Sequence, residues 1–123
     1  MTIADTDVLI DFLRGRGAAS QVEALLKAGS LSTTAITAFE LWAGAHSKMQ
    51  AAAVETLLAA LTLFPLDAPS AEKAARVRKE LEEKRATIGM ADSLIAGICL
   101  EKRASLLTRN RKHFERVSGL RLK

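Results

Sequence analysis

Short runs of β-forming residues alternate with longer runs of helical period along the whole chain, and this alternation constrains the fold more than any single residue does. Thr2-Ile3-Ala4 predicts a strand ending at Asp5, after which Val8, Leu9, Phe12 and Leu13 recur at helical spacing until Gly15 and Gly17. A second helix carries Val22, Leu25 and Leu26 and ends at Gly29. Leu31 to Thr34 predicts a strand, followed by a helix through Ile36, Phe39, Glu40 and Ala43 to Gly44. Met49 to Leu61 places Val54, Leu57, Leu58 and Leu61 on one helical stripe. Leu63 to Leu66 predicts a brief strand that Pro65 confines to an edge or a strand end. Ser70 is expected to open a charged helix whose stripe is Ala74, Val77 and Leu81, and a further helix runs from Met90 to Lys102. Ser105 to Thr108 predicts a strand, Arg111 to Val117 a short helix and Leu120 to Leu122 a last strand. Such alternation predicts an α/β fold, a three-layer α/β/α sandwich around a central parallel sheet. In folds of this class the functional crevice lies at the carboxyl ends of the strands, where Asp5 and Thr108 fall.

A chain of 123 residues suits one domain spanning 1–123, large enough for a core without disulfides. No apolar run of about 18 residues is present, so no membrane partner is expected. The start of the chain lacks a basic segment followed by an apolar one, which predicts a cytoplasmic location. The lone Cys99 falls in an apolar helical pattern with Ile95 and Ile98 and reads as a buried, inert thiol. The net charge of +4 is unevenly spread. Eight basic residues and two acids lie between Glu101 and Lys123, leaving ten basic and twelve acidic residues in the first hundred. A basic end beside a slightly acidic body suits a polyanionic partner such as RNA, although the charge alone favours a solvated surface.

Three acids stand out. Asp5 sits between a strand and a helix, where it is either a helix cap or a ligand. Glu40 completes a Thr37-x-x-Glu40 capping box, unless Thr33 or Thr34 supplies the cap. In that case Glu40 moves into the second turn, on a stripe with Ile36, Ala43 and Gly44 that has no reason to face water. Asp92 heads the inward face of an apolar helix, with Ile95, Ala96 and Cys99 below it. Its first-turn position suits the helix dipole, but burying an unpaired carboxylate is costly. Three such acids on three elements suit a hard cation, Mg²⁺ or Mn²⁺. With one Cys and only His46 and His113, a zinc site is not available, and no G-x-S-x-G elbow supports a serine hydrolase.

The same residues carry a family likeness. The segment Asp5-Thr6-Asp7-Val8-Leu9-Ile10-Asp11-Phe12-Leu13-Arg14-Gly15 resembles the opening motif of VapC-type PIN domains, ribonuclease toxins of the VapBC toxin–antitoxin pairs. Phe39-Glu40-Leu41-Trp42-Ala43-Gly44-Ala45 is similar to their second motif and Met90-Ala91-Asp92-Ser93-Leu94-Ile95-Ala96 to their third. Thr108 to Val117, with Gly119-Leu120, resembles the closing motif. The resemblance implies a PIN-like sandwich whose Mg²⁺ or Mn²⁺ is held by Asp5, Glu40 and Asp92, and hydrolysis of RNA such as tRNA or rRNA. It also implies a homodimer within a larger complex and a VapB-like antitoxin that closes the site, with an Arg or Lys reaching the three acids.

Three positions depart from the family pattern. Asn110 and His113 stand where acids are common in the fourth motif, so Asn110 is expected to hold an ion only through water. Asp7 replaces a Ser or Asn and is a candidate for the missing charge, but its spacing to Asp11 and Arg14 favours a solvated helix-face acid. The hydroxyls of Thr6 and Thr108 serve either the pocket or the adjoining backbone. Arg109, Arg111, Lys112 and Arg116 are candidate phosphate contacts. Two other functions fit parts of the chain. One is a catalytically silent PIN-like binding module. The other is an aspartyl phosphatase of haloacid dehalogenase type, in which Asp5 is the nucleophile and Asp7 the acid, although its downstream motifs are missing.

Overall fold

A computed structural model describes residues 1–123. Strands β1 (Thr2–Ala4), β2 (Leu31–Thr34), β3 (Thr62–Phe64), β4 (Ser105–Leu107) and β5 (Arg121–Leu122) form one sheet in the order β3-β2-β1-β4-β5. Every pairing is parallel, with Ile3 opposite Ser32 on one side and Leu106 on the other. Parallel neighbours require crossovers, and seven helices supply them: α1 (Thr6–Arg14), α2 (Ala19–Lys27), α3 (Ala35–Ala43), α4 (Lys48–Ala59), α5 (Ala68–Glu83), α6 (Met90–Lys102) and α7 (Arg111–Phe114).

Strand alternation sends neighbouring residues to opposite layers. Ile3 and Leu106 join α5, α6 and α7 through Val77, Leu81, Ile95, Ile98 and Phe114. Ala4 and Leu107 join α1 to α4 through Val8, Leu9, Val22, Leu41, Val54 and Leu57. The three-layer sandwich is thus the one the alternating pattern predicted. The most extensive helix packing is between α5 and α6, where a Cβ on Gly97 would lie 2.6 Å from both Ala74 Cβ and the Ser70 carbonyl. This contact fixes α6, and with it Asp92, against the sheet.

Element ends differ from expectation in instructive ways. Helix α5 begins at Ala68 rather than Ser70, because the Asp67 carboxylate accepts from the Ser70 backbone N–H and caps the helix one turn earlier. Strand β3 starts at Thr62 and stops before Pro65, on the sheet edge. Helix α4 ends at Ala59, and α7 closes after one turn at Phe114 instead of reaching Val117. Strand β4 stops at Leu107, so Thr108 lies just past it. No helix is long and apolar enough to cross a membrane.

Candidate active site

The chain leaves β1 for β2 on one side and later returns to β4 on the other, so the carboxyl ends of β1 and β4 flank the topological switch point of the sheet. Asp5 and Thr108 follow these two strands. The Asp5 backbone N–H donates to the Leu107 carbonyl at 2.9 Å, and the Thr108 hydroxyl donates to Asp5 Oδ2 at 2.7 Å. The other oxygen, Oδ1, accepts from the Thr6 backbone N–H at 2.8 Å, so Asp5 caps α1 and faces the crevice at once. Only 5% of Asp5 is exposed. Burial pushes its carboxyl up to about 6, against the lowering hydrogen bond from Thr108, with nearby Asp7 and Asp92 adding to the rise.

Glu40 reaches the same place from α3. Thr34, not Thr37, caps that helix, its hydroxyl accepting from the Thr37 backbone N–H at 3.1 Å. The capping-box role of Glu40 is therefore excluded, and its Oε1 accepts instead from the Thr6 hydroxyl at 2.6 Å. That hydroxyl also lies 3.1 Å from the buried Thr37 hydroxyl. The expected inward stripe fails beyond Glu40, because Ala43 and Gly44 are exposed. Glu40 thus marks the rim of the crevice rather than its floor.

Asp92 enters from the first turn of α6, above the buried Ile95, Ala96 and Cys99 as expected. Its Oδ2 is 3.5 Å from Asn110 Nδ2, which lies 2.8 Å from His113 Nδ1. Beneath it, burial pushes the Cys99 thiol up to about 12, consistent with an inert core sulfur.

Asp7 overturns its expected role. It is half-buried rather than solvated, with Oδ2 accepting from the Arg109 backbone N–H at 3.0 Å and 3.4 Å from the Thr108 hydroxyl. Its Oδ1 is buried with no partner, and burial raises its carboxyl above its ordinary value. Asp11, which the sequence pattern treated as a surface pair, is 3% exposed. Its Oδ2 accepts from the Ala18 backbone N–H at 3.0 Å and pairs with Arg109 Nε at 2.8 Å. The signal was Gly17: a Cβ there would sit 2.3 Å from Asp11 Oδ2, so the glycine makes room for a buried acid.

The four cations expected to meet phosphate are placed differently from one another. Arg109 is tied to Asp11, Arg111 donates to the Lys123 carbonyl at 3.0 Å, and Arg116 donates to the Ala86 and Thr87 carbonyls at 3.4 and 3.3 Å. Lys112 is exposed on α7.

Around the switch point Thr108 bonds Asp5 and approaches Asp7, Thr6 bonds Glu40, and the charges of Asp7 and Asp92 bear on Asp5. The acids stand apart, and no three acidic, His or Cys side chains are gathered into a ready ion cage. Carboxylates repel one another, and hydroxyls fill part of the space between them. The donor set is nonetheless rich in hard oxygens, and the unpartnered buried Asp7 Oδ1 lacks a cationic or donor partner. Both features fit a divalent ion such as Mg²⁺ or Mn²⁺.

Known proteins share this fold. The tRNA(fMet)-specific endonuclease VapC of Shigella flexneri is 27% identical over 121 residues, which cover 95% of this chain and 92% of that protein. The fold matches VapBC2 from Rickettsia felis, bound to a DNA fragment from its promoter, with a TM-score of 0.88 at 25% identity over 99% of this chain and 96% of the other. DNA-bound VapBC from Salmonella typhimurium matches with the same TM-score, identity and coverage. Residues 2–120 match the family model described as the PIN domain. By that match, and by the crevice its fold builds, the chain belongs to the PIN domain family.

Proposed function

We propose that this chain is a VapC-type ribonuclease toxin that hydrolyses RNA phosphodiesters with the help of Mg²⁺ or Mn²⁺. The observation that carries the reading is the buried Asp5 at the switch point, bonded to Thr108 and beside Asp7 and Asp92. Such a carboxylate is costly unless a cation or a proton offsets its charge. The similarity to a tRNA-specific endonuclease over nearly the whole chain supports RNA as the substrate.

Asp5, Glu40 and Asp92 would hold the ion, with Asp7 Oδ1 available beside them and Asn110 reaching it through water. When bound, a divalent ion acidifies water and neutralises charge on the phosphate. One of these three carboxylates would also take the proton of the attacking water. Thr108 holds Asp5 and Thr6 holds Glu40, so neither acid has to reorient during the reaction. Lys112 is free to meet a backbone phosphate, and Arg109 presents its guanidinium from a position fixed by Asp11.

The partner is a small VapB-like antitoxin, supported by the fold match to VapBC complexes. A basic side chain of that partner, placed among Asp5, Glu40 and Asp92, would offset the same charge as the ion. The decisive assay incubates the purified chain with tRNA and rRNA fragments while Mn²⁺ or Mg²⁺ is titrated against EDTA. Internal cleavage that depends on the ion is the expected result. RNA binding without cleavage at any ion concentration would instead favour a silent binding module.

A further inference from the structure

The Asn110 amide nitrogen lies between two groups of the same hydrogen-bonding character. It is 2.8 Å from His113 Nδ1 and 3.5 Å from Asp92 Oδ2, and those two atoms are 3.6 Å apart. With the Asn110 NH₂ turned toward it and His113 neutral, Nδ1 is the accepting nitrogen and the imidazole proton sits on Nε2. A nitrogen lone pair and a carboxylate oxygen therefore aim at one position, which an electropositive group now fills. His113 is partly exposed, with 44% of its side chain accessible, so nothing in the core requires this orientation.

We propose that His113 Nδ1 and Asp92 Oδ2 together ligate the divalent ion, and that this chain therefore selects a first-row transition ion such as Mn²⁺ over Mg²⁺. The inference rests on the metal-dependent reading of the same site. Ions of this size bind oxygen at about 2.0–2.2 Å, so one ion reaches two donors 3.6 Å apart. Turning the Asn110 side chain end for end would present its carbonyl oxygen to a water on the ion. Imidazole suits transition ions, whereas Mg²⁺ keeps an all-oxygen shell and sheds water reluctantly. Mn²⁺ accepts both ligand types, which matches one nitrogen among carboxylates.

The test measures Mn²⁺ and Mg²⁺ binding to the full chain by competition, and looks for nitrogen coupling to bound Mn²⁺ by pulsed electron paramagnetic resonance. Wild type is expected to show imidazole coupling. His113→Glu should lose that coupling and reduce the Mn²⁺ over Mg²⁺ preference by about tenfold or more. Circular dichroism checks that His113→Glu folds, and His113→Ala repeats the coupling measurement with no new oxygen ligand. Bound Mn²⁺ without nitrogen coupling in wild type overturns the inference and leaves the metal-dependent reading standing. Coupling that persists in both variants also overturns it, since the other histidine, His46, would then be the ligand. Failure of wild type to bind either ion removes the metal-dependent reading and this inference together.

Discussion

Thr108 and Asp5 lie 103 residues apart in sequence, yet the Thr108 hydroxyl donates to Asp5 Oδ2 at 2.7 Å across the ends of two adjacent parallel strands. This bond joins the first and last motifs of the chain and is the chief local compensation for a buried carboxylate. Thr108→Val keeps the volume but removes the donor. At pH 8 it should cost about 1.5–3 kcal/mol, the worth of a hydrogen bond to a charged group. At pH 4.5, where Asp5 is largely protonated, the cost should be smaller. Urea unfolding of both proteins at the two pH values measures the difference, and equal costs would show that the bond does not serve the charged form.

Asp5 itself sets a pH dependence with a defined sign. Its folded carboxyl titrates at about 6 and its ordinary value is 3.8, so the folded state holds the proton more tightly. Its contribution to stability is then complete below about 3.8 and is lost as pH rises through 6. Asp5→Asn should be more stable than wild type above pH 7 by up to about 3 kcal/mol, with the advantage shrinking below pH 5. Thermal unfolding across pH 4–8 without divalent ions checks this. Added Mn²⁺ should raise the melting temperature of wild type most above pH 6 and should do little for Asp5→Asn.

Gly15 and Gly17 provide a matched pair, because both have positive φ, 65° and 56°. Gly15 faces open space, whereas a Cβ on Gly17 would collide with the Asp11 carboxylate. Gly15→Ala should cost about 1–2 kcal/mol from backbone strain alone. Gly17→Ala should cost about 1–3 kcal/mol more from crowding, and should also loosen the Arg109 contact. Equal costs in chemical denaturation would mean that Asp11 moves aside freely.

The basic end of the chain divides into structural and available cations. Arg116 holds the carbonyls of Ala86 and Thr87, just before α6, so Arg116→Ala should lower the melting temperature more than it lowers RNA affinity. Lys112→Ala should leave stability unchanged and reduce the log–log salt slope of RNA binding by about one unit. An unaltered slope would make Lys112 ordinary solvated surface.

Much of this was legible in the sequence because it rests on period and punctuation. Leu31–Thr34 and Met90–Lys102 are bounded as their residue patterns imply, and Asp5 falls where strand one must end. Glu40 was ambiguous until a cap could be assigned, since Thr34 and Thr37 offer competing hydrogen bonds and only the backbone geometry chooses. Asp7 and Asp11 were misjudged for a different reason. Their i,i+4 spacing looks like a surface charge pattern, but their partners are the Arg109 backbone and side chain about a hundred residues away. Nothing local marks such a contact, apart from the glycine opposite Asp11. Membership of the PIN family also displaces the phosphatase alternative, which rested on the Asp5-x-Asp7 spacing alone.

The central claim is that Asp92 serves the ion and not merely the dipole of α6. Asp92→Asn keeps the size of the side chain and a first-turn polar group, and the variant should fold like wild type by circular dichroism. Its rate of internal RNA cleavage, measured at saturating Mn²⁺ under single-turnover conditions, should fall by about a hundredfold or more. A folded Asp92→Asn protein that cleaves RNA at the wild-type rate would contradict the account.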